Sequence, residues 1–277
     1  KSNTNGHIMK MKYTPFQVKT LSVEEPDSPY HKKIDKFNNL GGQPVILLPL
    51  HSLLAPLAFT FKKLFPQSNL TYIMTEGGAL PLELSHLVAE LKQRKIIDTT
   101  ITIGQSFGGD LETVNIFTGL AAAQEVVDAD LIVTGMGPGI TGTSTRLGFS
   151  GIENVFINYA VNVLEGKSIM VPRVSLAEPR SRHHILSHHT VTLLKDLIKE
   201  KTDVIVPDHN QVKNVLQQTK IVDKHNIIYY DINKVKHILK NTDFNFRSMG
   251  RNFKDDPLFF ITGGLPVLRY QELMTEE

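Results

Sequence analysis

The sequence predicts an α/β fold: a doubly wound, mostly parallel sheet of Rossmann-like type, preceded by an N-terminal β arm. Three observations carry this reading. From Pro44 onward, short apolar runs recur, and most are followed by a helical pattern. The runs are nearly continuous in apolar residues rather than alternating, as burial on both faces requires. Strands that alternate with helices imply crossover connections and therefore parallel neighbours.

Residues 1–43 differ from the rest. His7–Glu25 is extended and partly alternating, interrupted by Pro15, and PDSPYHKK and FNNLGGQP carry turn residues. The spacing predicts an arm and linker over 1–43 and an α/β domain over 44–277. Val45–Leu50 (VILLPL) is the first expected strand of that domain, with an apolar helix from about Leu53 to Leu64. Leu70–Thr75 follows and ends in EGGALP; Leu84, Leu87, Val88 and Leu91 then recur at helical spacing. Thr99–Ile103 ends in GQSFGGD, and Asp110 is the expected N-cap of a helix reaching about Val127. Leu131–Thr134, Ser168–Val171, Val204–Pro207 and Ile227–Tyr230 complete seven strands. Between them, Ser150 and Glu153 read as a capping box. They open a helix whose stripe would be Ile152, Val155, Phe156, Tyr159, Ala160, Val163 and Leu164. Near the end, Asp256-Pro257 reads as a helix start, and Gly263, Gly264 and Pro266 argue against a long helix.

Bulk properties exclude several classes. The chain has 277 residues, enough for one large α/β domain or two small ones. A net charge of +2, with charges mixed along the chain, argues against a nucleic-acid surface. No apolar run approaches the about 18 residues of a membrane span, and no signal peptide is visible. Cysteine is absent, which excludes disulfides and thiol chemistry. A cytoplasmic location fits these features. The chain begins at Lys1, as expected of a fragment or a processed chain.

In an open parallel sheet, ligands bind beyond the carboxyl ends of the strands. The unusual polar and glycine-rich segments fall after strands: TEGGALP, GQSFGGDLE, the loop from Gly135, and PRVSLAEPRSRHHILSHHT. The opposite connections, such as KQRKIID and LEGK, read as ordinary turns. The loop contains Gly137, Gly139 and Gly142 in a literal G-x-G-x-x-G. The helix start near Gly151 is too late for a dinucleotide fingerprint, so no dinucleotide is expected. The loop still offers backbone N–H groups, hydroxyls at Thr141, Thr143, Ser144 and Thr145, and the charge of Arg146. That set suits a phosphate or carboxylate; the plain alternative is a crowded turn with a solvated arginine.

Arg180, Arg182, His183, His184, His188 and His189 lie within ten residues. Ser187 is placed to cap a helix with His188 and His189 in its first turn, where imidazoles tend to be neutral. Neutral imidazoles serve as bases, hydrogen-bond donors or metal ligands. No H-E-x-x-H spacing is present, so a divalent metal remains an option without an assigned ligand set. The candidate catalytic residues are His188, His184 and Asp110. The candidate substrate-binding residues are Gly137, Gly139, Thr141, Gly142, Thr143, Ser144, Arg146 and Arg182, with Glu76, Gly77 and Gly78. Asp110 and Glu76 have equally plain structural explanations.

The segments MKYTPFQ, LSVEE, TEGGALPL, TIGQSFGGDLETVN, GPGITGTSTRLGFSG, PRVSLAEPRSRHHILSHHT and Met249–Arg251 (MGR) together resemble a family of bacterial proteins defined only as a domain of unknown function. The resemblance runs over nearly the whole chain. It implies a bacterial cytoplasmic origin and an additional N-terminal β-rich segment, and it brings no catalytic residues.

The residues favour an enzyme of hydrolase or transferase type, acting on a small anionic substrate of phosphorylated or nucleotide-like character. The alternative is a non-catalytic metabolite-binding or regulatory module on the same fold. The partner expected in either case is a small anionic ligand, with neither nucleic acid nor membrane. A homo-oligomer, with the His/Arg segment as interface, is a third reading.

Overall fold

The structure is a computed structural model that describes residues 6–276. Residues 1–5 of the expected arm lie outside the described residues. Eight strands form one parallel sheet flanked by helices. The strand order across it is Asn226–Tyr230, Asp203–Pro207, Lys167–Met170, Pro44–Leu47, Leu131–Met136, Leu70–Thr75, Thr99–Thr102 and Leu111–Glu112. All seven expected strands are present. The eighth, Leu111–Glu112, is only two residues long, too short for a sequence pattern to register. The chain divides into two compact units, one of Lys1–Val45, Ser68–Ile140 and Ala160–Lys167, the other of Ile46–Gln67, Thr141–Tyr159 and Ser168–Glu277.

In the first unit, Leu70–Thr75 and Leu131–Met136 are buried at every position, as strands covered on both faces must be. The expected arm includes an antiparallel hairpin, Ile8–Lys10 with Val18–Thr20. Lys10 fastens it. This side chain is 0 % exposed, and its ammonium donates to the carbonyls of Thr102, Ser106 and Thr113 at 3.2, 2.9 and 3.0 Å. Glu112 Oε2 lies 3.0 Å away and supplies the opposite charge. A buried ammonium persists only when its donors and its charge are met in this way.

Three local expectations are corrected. Asp110 does not cap a helix, because Leu111–Glu112 joins the sheet edge and the helix is Ile116–Glu125, capped by Asn115. Ser150 does not close a capping box. Its hydroxyl accepts the Thr141 N–H at 3.0 Å, and a 3-10 turn, Ser150–Glu153, precedes the α-helix Asn154–Val163. That helix also buries a different stripe: Asn154, Ile157, Asn158, Ala160 and Val161 face inward, while Phe156 is 54 % exposed and Tyr159 and Val163 are exposed beside it. Asn158 explains the shift in phase. Its Oδ1 accepts from Ser168 and Thr202 hydroxyls at 2.6 and 2.7 Å, so a polar residue occupies a core position.

In the second unit, helix Leu54–Leu64 packs on helix Pro257–Gly264. A Cβ at Gly263 would lie 2.9 Å from Pro56 Cγ, and one at Gly264 would lie 2.6 Å from Thr60 Oγ1. The two glycines thus permit close helix approach, and a new helix, Pro266–Glu276, follows at once. Beyond the carboxyl end of Lys167–Met170, Val174–Ser175 pairs with Ile185–Leu186 in a short antiparallel ribbon. This ribbon carries the arginine- and histidine-rich segment.

Candidate functional site

The site is built on Arg173, three residues past the strand Lys167–Met170. Its backbone N–H donates to Thr190 Oγ1 at 3.0 Å, and its carbonyl accepts the Ser187 N–H at 3.0 Å. These two bonds brace the histidine segment against the end of the strand. Ser187 then caps the turn His188–Val191, with its hydroxyl accepting the His189 N–H at 3.3 Å. The cap is the one expected from the sequence.

Three histidines converge there. The ring centroids of His183 and His188, of His183 and His189, and of His188 and His189 are 4.9, 4.9 and 4.3 Å apart. One nitrogen from each lies within 4.8 Å of the others. His183 Nδ1 is 2.7 Å from Ser187 Oγ, and its Nε2 accepts from Arg182 Nε at 3.3 Å. His188 Nε2 is buried without a hydrogen-bond partner. Burial and the charges of Arg173 and its arginine neighbours hold the His183 imidazolium down to about 4; burial and the adjacent histidines hold His189 down to about 3. His188 is lowered as well, by burial and then Arg182. All three rings are neutral at neutral pH. The direction is the expected one, and burial rather than the helix dipole leads it.

Beside the histidines lies a set of charges gathered around the buried Glu178 and Arg173. Glu178 accepts from Arg173 Nη2 at 3.0 Å, Arg180 Nε at 2.7 Å and Arg251 Nη2 at 3.1 Å. Hydrogen bonds from Arg180, opposed by burial and reinforced by Arg251, keep its carboxyl well below the usual range. Burial pulls the Arg173 guanidinium down to about 10, still charged at neutral pH. Arg251 Nε lies 3.4 Å from Asp256 Oδ2, which accepts from Ser175 Oγ.

The glycine loop meets the histidines. His189 stacks on Phe149 at 4.1 Å with an interplanar angle of 6°. A Cβ on Gly142 would stand 3.2 Å from both Cε1 and Nε2 of His189. The loop itself is closed by its own bonds: Thr143 N–H to Gly148 O at 2.8 Å, Ser150 N–H to Thr141 O at 3.0 Å, and the Thr143 hydroxyl to Gly148 O at 3.0 Å. Thr145 Oγ1 accepts the Gly148 N–H at 3.1 Å. Ser144, at φ 68°, forms the exposed tip. Arg146 is 61 % exposed on its side chain and pairs with Asp196 at 2.9 Å.

The remaining candidates other than His184 belong to the first unit. Gly137 and Gly139 follow the strand Leu131–Met136, and Gly78 lies close to the Pro138 carbonyl. Glu76 and Gly77 are exposed in the turn Glu76–Gly78. The Glu76 carboxylate covers the backbone of Gly104, whose φ is +59° and whose Cβ, if present, would overlap it. Glu76 lines a cavity of about 300 Å³ with His7, Met9, Lys12 and Gln105. Asp110 Oδ2 accepts from the Thr100 backbone and hydroxyl, both at 2.8 Å, and from Lys92. Burial, which raises its carboxyl, is outweighed by the bonds from Lys92 and Thr100, so the group sits below its ordinary value. His184 is exposed at the end of the turn Ser181–His183, one residue from the histidine trio.

The sequence does not mark Arg173 and Glu178 as site residues, and it presents Asp256 only as a helix start. Charged residues read as solvated by default, and only the apolar neighbours Val171, Val174 and Leu176 hinted otherwise. His183 and His189 were visible within the cluster, but no spacing rule separated them from His184.

The fold and site define a parallel-sheet α/β protein with a neutral histidine cluster set among arginines. The chain belongs to the family described as Protein of unknown function (DUF3866), whose model matches residues 1–266. No curated protein and no solved structure matches it.

Proposed function

We propose that the chain is an enzyme of hydrolase or transferase type, and that its second unit binds a small anionic substrate at the histidine–arginine cluster. The observation that carries this reading is Arg182 Nε beside the neutral His183 ring. Neutral imidazoles set among guanidinium groups repel protons and attract anions, so the local field favours a phosphate or carboxylate. Arg182 is exposed, and a guanidinium can hold an anion in a forked geometry. Arg146 is a second anion contact, reached by displacing Asp196. His188 or His184 carries the proton, since a neutral imidazole accepts one from water or from a hydroxyl. The Gly142–Phe149 turn sets the His189 ring and thereby the wall of the site.

A thermal-shift screen of phosphates, nucleotides and organic acids identifies the ligand class. The Arg182→Ala variant is then expected to lose the stabilisation that the ligand gives the native chain. A ligand recovered unchanged after long incubation with stoichiometric binding would favour the regulatory module instead.

A further inference from the structure

We propose that His183, His188 and His189 together coordinate one divalent transition metal ion of the zinc class, leaving an open position beside Arg182. This deepens the anionic-substrate reading, because the open position is where an anion would bind.

The argument starts from His183. A guanidinium has donors only, so Arg182 Nε facing Nε2 at 3.3 Å requires that Nε2 be unprotonated. The ring proton is then on Nδ1, directed at Ser187 Oγ 2.7 Å away. A histidine that presents Nε2 while Nδ1–H is held by an oxygen is the arrangement that orients imidazole ligands to metals. Ser187 would be the outer partner. His188 contributes a buried Nε2 that lacks any hydrogen-bond partner, a costly condition unless something else meets it. His189 completes the set, its ring stacked on Phe149 in a plane that in-plane rotation preserves.

Three nitrogens within 4.8 Å of one another are somewhat open for a bound ion. Zinc at about 2.0–2.1 Å from each nitrogen requires separations of roughly 3.3 Å, reached by small ring rotations of the half-buried His188 and His189. The nearby positive charge is offset in part before the ion arrives, since Glu178 and Asp256 face Arg173, Arg180 and Arg251. Arg182 is the exception. It occupies the His183 Nε2 lone pair and must swing outward, where it can hold the anion that completes the metal's coordination. Three protein ligands plus one exchangeable position is the pattern of catalytic rather than structural zinc sites. With His188 committed to the ion, proton transfer falls to His184.

The test titrates metal-stripped protein with Zn²⁺ by calorimetry and with Co²⁺ by visible absorption, with no anionic ligand present beyond buffer counterions. One ion per chain is expected, with the absorption bands of a four-coordinate site. His188→Gln and His189→Gln avoid emptying the fully buried His183 position. Each is expected to weaken binding by more than the about 10–100-fold typical of losing an outer partner. Ser187→Ala is expected to weaken it within that range while keeping the one-to-one stoichiometry. Arg182→Ala is expected to tighten metal binding, the opposite of its expected effect on an anion. Absence of saturable binding, or affinity unchanged in both glutamine variants, overturns the proposal. Phosphate binding to the metal-free protein is measured separately; its presence without metal binding would leave the anionic-substrate reading standing and the metal site refuted.

Discussion

Arg182 Nε stands 3.3 Å from His183 Nε2, and because a guanidinium only donates, that contact fixes which nitrogen of the ring carries the proton. The Nδ1–H is consequently held by Ser187 Oγ, which also caps the turn starting at His188. One hydroxyl therefore ties the end of a ribbon strand, a histidine tautomer and a turn start together.

Replacing Ser187 by alanine removes both bonds at a buried position. The expected loss is about 1–2 kcal/mol of stability, the range for a helix cap. Urea unfolding monitored by circular dichroism measures it, and an unchanged midpoint would show that the cap carries no weight.

Glu178 holds three arginines with a carboxylate that is 1 % exposed. Glu178→Gln leaves the buried Arg173 guanidinium without its counter-charge, at an expected cost of about 3–5 kcal/mol. The sign of the pH effect follows from the depressed carboxyl. Its stabilisation is complete above the ordinary carboxylate value near 4.5 and is lost as pH falls below that value toward the folded one. The carboxyl ¹³C resonance of Glu178 is expected to stay flat between about pH 6 and pH 3 while the chain is folded; a midpoint near 4.5 would contradict the arrangement.

Lys10 joins the N-terminal hairpin to three carbonyls and to Glu112. Lys10→Met keeps the length of the side chain and leaves those acceptors unmet. Hydrogen exchange over Ile8–Thr20 is expected to accelerate strongly, with the Asp203–Pro207 strand in the other unit unaffected. Equal acceleration everywhere would mean that the hairpin is no local unit.

Most of the sheet was legible in the sequence, and the site was legible in part, for different reasons. Double-sided burial forces long apolar runs, so Leu70–Thr75 and Leu131–Thr134 stand out without any partner being known. The strand Leu111–Glu112 is held by Asp110 through Thr100, a contact between residues ten apart that no periodicity encodes. The phase of helix Asn154–Val163 was missed because Asn158 is buried for its hydrogen bonds while Phe156 is exposed. The site segments were visible as clusters of glycine, arginine and histidine. Their meeting, with Gly142 against His189, depends on how a closed turn and a capped turn pack, which spacing alone does not determine.

Gly142 tests that meeting directly. An alanine there would press a methyl group 3.2 Å from the His189 ring. The position is exposed and its φ is not left-handed, so stability is expected to change by under about 1 kcal/mol. The His189 ring resonances are nonetheless expected to move. Unperturbed resonances would place the loop away from the ring.

The central claim is that the histidine–arginine cluster binds a small anion, and calorimetric titration of the metal-free protein with inorganic phosphate tests it most directly. One saturable site is predicted, weakened about 10-fold or more in Arg182→Ala, as expected for losing a charged hydrogen-bond donor, and unchanged in Lys92→Ala, which alters the ion pair with Asp110 in the other unit. Saturable binding that Arg182→Ala leaves untouched, or no saturable binding at all, would contradict it.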